Sequence, residues 1–205
     1  MTTQISITRA LAQVKSLNDR IERGTGQAFV SNTVGGKHAS GRAAQEVEVL
    51  LTANLQSVKD LIEQRKTLKS AIVRSNAVTE VTIAGVKMTV AEAIERKSSI
   101  QLEQILLNTL RTQLGQQQSI VERTNVQVQT RLDTLIQTAV GKDRKVDTSE
   151  LEAITKPFEA QNKAAVLDPS DLQKQIEALA AQIDSFLLEV DFALSEVNAT
   201  TVVTV

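Results

Sequence analysis

The sequence predicts an all-α fold, an elongated antiparallel helical bundle or coiled coil with a small β-hairpin at one tip. Three observations predict it. Apolar residues recur at spacings of three and four, or every seven, over most of the 205 residues. Helix breakers are scarce, with eight Gly and two Pro. Aromatic residues are only 2% of the chain, so Leu, Ile, Val and Ala in narrow helix seams must supply the core. The chain is read as a single domain over 1–205.

The first helix is expected from about Ile5 to Arg23, with Ile7, Leu11, Val14, Leu17 and Ile21 on one face. Gly24 and Gly26 are expected to end it. Residues 24–41 hold five of the eight glycines and read as a long loop with a short extended piece at 28–30. A second helix is expected from Arg42 to Arg74, its stripe being Val47, Leu51, Leu55, Val58, Ile62, Leu68 and Ile72, interrupted by Arg65.

Thr79 to Ile83 is β-branched and alternating, Ala84-Gly85 is a short turn, and Val86 to Met88 returns, which is a hairpin pattern. Thr89 and Glu92 have the spacing of a capping box, and they open the longest helix, Val90 to Val140. At 1.5 Å per residue it is about 75 Å long. Ile100, Leu107, Leu114, Val121, Val128 and Leu135 recur every seven residues along it. The companion positions Gln104, Arg111, Gln118, Asn125, Leu132 and Ala139 are mixed, and polar seam residues fix register at a cost in stability. Gly115 offers a bend point.

Residues 141–147 read as a charged loop, and a short helix capped near Thr148 or Ser149 is expected to be limited or kinked by Pro157. Asp168-Pro169 is expected to start the last helix, to Asn198. Leu172, Ile176, Leu179, Ile183, Phe186, Val190, Ala193 and Val197 follow a coiled-coil spacing there, and Leu187, Leu188, Phe192 and Leu194 widen the stripe. The tail, with Val202, Val203 and Val205, switches to β-branched residues. It reads as a strand for a neighbour's sheet or for the chain's own hairpin at 79–88.

The chemistry of catalysis is sparse. Without cysteine there is no disulfide, thiolate nucleophile or Cys-based zinc site. The one histidine, His38, has no acidic partner at a recognisable spacing and reads as a loop residue. The stretch 34–40 lacks the GxxxxGK-Ser/Thr order of a phosphate-binding loop. The acidic pairs Glu46/Glu48 and Glu150/Glu152, and the trio Asp184/Glu189/Asp191, read as solvated faces. No enzyme activity, cofactor, metal or small-molecule substrate is expected.

Net charge is −1, unevenly spread: residues 150–205 carry ten acidic and three basic side chains, a net −7, leaving +6 on residues 1–149. The acidic last helix is expected to pack beside the more basic body, within or between chains. Dispersed charge without stacking aromatics argues against nucleic acid. No apolar run approaches the roughly 18 residues that span a bilayer, and the start of the chain has no secretion-signal pattern, so synthesis in the cytoplasm of a bacterial host without export by the general pathway is expected, with a place in the virion on the structural reading below. The last helix carries Asp and Glu where membrane-surface helices carry Lys and Arg.

The stretch 75–97, SNAVTEVTIAGVKMTVAEAIERK, a tight hairpin feeding a long helix, is similar to the middle of the septicolysin-like family of small helical bacterial proteins. The stretch 182–198, QIDSFLLEVDFALSEVN, resembles their C-terminal helix, although ATTVVTV replaces the aromatic residue expected after it. This resemblance implies little about function, because the family's own role is poorly defined. In style the chain also resembles helical structural proteins of tailed bacteriophage particles. The expected function is therefore structural: a subunit of a virion whose partners are copies of itself and neighbouring structural proteins. A cellular coiled-coil adaptor and a membrane-active lysin-like protein are the competing readings. The residues expected to carry the protein contacts are Leu107, Leu114, Val121, Val128, Leu135, Leu172, Ile176, Leu179, Ile183, Phe186, Val190, Phe192, Val202, Val203 and Val205.

Overall fold

The computed structural model describes residues 3–38, 40–140 and 147–204. Most of the expected loop at 141–147 and the tail residue Val205 lie outside the described residues. The described residues are predominantly helical, with three small antiparallel strand pairs, so the fold is all-α. The chain divides into two compact units: unit 1 is residues 1–98 with 185–205, and unit 2 is residues 99–184.

Unit 1 begins with β1 (Gln4–Ser6) and α1 (Ile7–Thr25). Ser6 caps α1, its hydroxyl accepting the Arg9 N–H at 3.3 Å, which satisfies one of the unpaired donors of the first turn. Ile7, Ala10, Val14 and Leu17 form the buried face. Ala10 is fully buried where the sequence pointed to Leu11, which is exposed. Gly26 is the C-cap, as expected, but Gly24 lies inside the helix. A Cβ there would lie 2.8 Å from Val58 Cγ2, so this glycine lets α1 approach α2 (Ala44–Val78). The core of α2 is Val58, Leu61, Leu68 and Ile72, while Ile62 and Leu55 are exposed. Arg65, which interrupts the apolar pattern, donates through Nε to Asn18 Oδ1 at 2.5 Å.

The expected loop at 24–41 contains a hairpin instead of an extended piece at 28–30. β2 (Thr33–Val34) pairs with β3 (Lys37–His38) across Gly35-Gly36, both at positive φ as a tight hairpin turn demands. Downstream of α2, β4 (Glu80–Ile83) and β5 (Val86–Thr89) form the expected hairpin. Its turn holds Ala84 at φ 50 and Gly85 at φ 75. Ala84 is unusual there, and its N–H donates to Glu189 Oε2 at 2.6 Å, tying the strained residue to the last helix.

The helix α3 (Val90–Val140) has the expected limits. Its capping box is present: Glu92 N–H donates to Thr89 Oγ1 at 3.1 Å, and Thr89 N–H donates to Glu92 Oε2 at 2.6 Å. The Thr89 N–H, and after it the Thr89 hydroxyl, donate to the Glu92 carboxylate and hold it below its usual pKa.

The C-terminal strand β6 (Val202–Thr204) pairs with β1, in the register Ile5↔Val203. This corrects the expectation that the tail docks on the chain's own hairpin at 79–88: within the chain its partner is β1. Ile5 and Ser6, expected in the first turn of the first helix, are strand instead, in a segment too short to announce itself by alternation. Ile5 and Val203 are both buried and join Ile7, Ala10, Val14, Leu17, Leu61, Leu68 and Ile72 in one apolar cluster.

In unit 2, α4 spans Thr148–Asn162 and continues five residues past Pro157. Proline deprives Ala153 of a helical partner, but half-buried Ile154, Phe158 and Asn162 share one face and hold the helix together. The last helix, α5, spans Leu172–Thr200 and starts later than Asp168-Pro169 predicted. Asp168 instead caps the turn before it, its carboxylate accepting Ser170 N–H at 3.2 Å and Leu172 N–H at 2.7 Å. The seam residue Asn125 acts like a strand edge: its amide donates to the Ala164 carbonyl at 2.9 Å and accepts the Ala164 N–H at 2.8 Å. That pair fixes the stretch between α4 and α5 onto α3.

Candidate functional site

The residues expected to carry contacts separate by burial. Within unit 2, Leu107, Leu114, Val128, Ile176 and Ile183 are buried by this chain alone; Val121, Leu172 and Leu179 are half-buried. In unit 1, Phe186, Val190 and Val203 are buried. Leu135, Phe192 and Val202 remain exposed. Most of the predicted seam is thus covered within one chain.

On α5, 100° per residue puts Phe186 and Val190 on the inward side and Leu188 and Phe192 almost diametrically opposite. Leu188 is 73% exposed and Phe192 78%. Phe192 is one of only four aromatic residues in the chain. Carboxylates flank this face: Asp191 on one side, in an ion pair with Lys97, and Glu189 and Glu196 on the other. The buried side is pinned by Phe186, whose ring lies beneath the Arg96 guanidinium at 4.6 Å.

On α2 a second stripe runs along the flank of the helix. Leu55, Lys59, Ile62, Lys66, Lys69 and Val73 follow spacings of four and three, and all six are exposed. The sequence reading merged Leu55 and Ile62 with the core stripe. The signal that separates them is Leu61, whose phase matches Val58, Leu68 and Ile72.

The remaining features do not assemble chemistry. His38 Nδ1 accepts the Ser40 N–H at 3.1 Å and lies 2.6 Å from Ser40 Oγ, while Nε2 lies 2.6 Å from Ser31 Oγ. An open groove of about 540 Å³ between α1 and α2 is lined by Gln13, Asp60, Glu63, Gln64 and Thr67 above Leu17 and Leu68. A second of the same volume in unit 2 lies among Arg111, Leu114, Gly115, Ile176, Ala180 and Asp184. Among the described residues, no group of three His, Asp or Glu side chains could hold a metal ion, and no helix is long and apolar enough to cross a membrane.

No protein-family model matches the chain, and no curated protein or solved structure is similar to it by sequence or fold.

Proposed function

We propose that this protein is a non-enzymatic structural subunit, an elongated antiparallel bundle that acts by binding other protein chains, copies of itself included, within a larger particle. A component of a tailed-phage virion is the specific form of this reading. The observation that carries it is the exposure of Leu188 and Phe192 on the solvent side of α5. Large apolar groups set together in water mark contact surfaces more often than isolated ones do. The scarcity of aromatics supports the same reading, since a chain with four Phe and no Tyr or Trp lacks the usual lining of a ligand cleft.

Light scattering on purified protein across a concentration series tests this. The expected result is a mass that rises above the 22.3 kDa of one chain as concentration increases. A single-chain mass at every concentration would remove self-assembly and leave an adaptor for a different protein, the competing reading.

A further inference from the structure

The geometry points to a head-to-tail contact between copies of this chain, in which the Leu188/Phe192 face of α5 docks on the Leu55–Val73 stripe of α2 in a second copy. The inference rests on the self-assembly reading above and specifies the surfaces it uses.

Both faces belong to unit 1, and both are solvent-exposed on well-formed helices. Each sets exposed apolar side chains among charged ones, and their charges are opposite. The α2 stripe interleaves three lysines, Lys59, Lys66 and Lys69, with Leu55, Ile62 and Val73; one acid, Glu63, flanks it beside Lys66, so the stripe with its edge is net positive. Residues 185–205 contain three acids, Glu189, Asp191 and Glu196, and no basic side chain. Some of this charge is already engaged: Lys66 with Glu63 at 3.5 Å, Asp191 with Lys97, and Glu189 with the Ala84 N–H. These partners are all at the surface, where such pairs are weak and readily exchanged.

The complementarity selects the geometry. Two α5 faces brought together would oppose acid to acid, and two α2 stripes lysine to lysine. Only α5 against α2 sets unlike charges around an apolar centre. The α2 stripe is about 27 Å long, enough to receive the last turns of a helix. Because the two surfaces differ, the contact is heterologous, and repetition closes a ring or grows a filament. One helix face is at the small end of specific interfaces, so each contact is weak and assembly depends on concentration.

The test uses two surface variants of the full chain, each checked for unchanged helicity by circular dichroism. Leu188→Ser with Phe192→Ser breaks the α5 face. Lys59→Glu, Lys66→Glu and Lys69→Glu together break the α2 stripe. Each variant alone is expected to associate about tenfold or more weakly than the parent and to stay at the mass of one chain. Mixed one to one, they should form a dimer and stop, because each copy keeps one intact face. Association of the parent should weaken as salt is raised. If either variant alone assembles like the parent, or the mixture stays at the mass of one chain, the inference fails while self-assembly through other surfaces stands. If the parent itself never associates, the broader reading fails as well.

Discussion

Gly24 and Gly115 both lie inside helices, one in each unit, and they have opposite reasons for being glycine. Beside Gly24 the neighbouring helix is so close that a Cβ would strike Val58, whereas nothing lies within 4 Å of the Cβ position at Gly115. The units differ in the same sense. Among the described residues, unit 1 holds sixteen of the buried apolar side chains and unit 2 seven. Unit 1 is closed by distant parts of the chain meeting: β1 with β6, α1 with α2, the β4–β5 turn with Glu189. Unit 2 spaces its buried Leu and Val along α3 and uses polar devices between them, Asn125 with Ala164 and Asp168 at the start of α5. Tight apolar packing resists added or removed volume. A sparser seam depends on a few directed hydrogen bonds and yields locally when one is cut.

The largest expected effect is in unit 1. Phe186→Ala removes a fully buried ring and the stacked partner of Arg96, and should cost about 3–5 kcal/mol in denaturant unfolding. A cost below about 1 kcal/mol would show that the region repacks easily and erase the contrast. In unit 2, Asn125→Leu leaves the Ala164 N–H and carbonyl without their partner and should cost about 1–3 kcal/mol. Hydrogen exchange should locate that loss at 163–168 and leave α1 protected; uniform loss over both units would mean they unfold as one.

The two glycines give smaller effects of opposite sign. Gly24→Ala must displace buried Val58 and should destabilise by about 1 kcal/mol or more after its gain in helix propensity. Gly115→Ala meets no neighbour and should stabilise by about 0.5–1 kcal/mol, read as a rise in thermal midpoint. Equal signs would break the comparison.

The smallest effect is electrostatic. Glu92 has a lowered pKa in the folded chain, so its capping contribution is present above the ordinary carboxyl pKa of 4.5 and is lost as pH falls through the lower folded value. Glu92→Gln should flatten stability against pH in that acidic window and leave it little changed near neutrality. An unaltered acid limb would mean the carboxylate adds nothing beyond a neutral side chain.

Much of the local structure was legible in the sequence. The limits of α3, the β4–β5 hairpin with its Ala84-Gly85 turn, and the Thr89/Glu92 box all follow from residues a few positions apart. The candidate surface was half legible: Leu188 and Phe192 stood out as an overwide apolar stripe on α5, but the lysine stripe of α2 was hidden beneath its core pattern. A choice between Leu61 and Ile62 rotates the inward face by one residue, or 100°; the phase of Leu61 with Val58, Leu68 and Ile72 favours Leu61, and the position of α1 confirms it.

By itself, then, the sequence determined the all-α class, the helical periodicities and the absence of cysteine chemistry, because these depend on backbone preference and composition. The tertiary structure alone decided that β6 pairs with β1, that Gly24 is a contact, that Asn125 holds Ala164, and that most of the seam is covered within one chain. Each of these joins residues far apart in sequence. Such contacts form only when the apolar area they bury outweighs the entropy of closing the loop between them, and no local pattern records which partner wins.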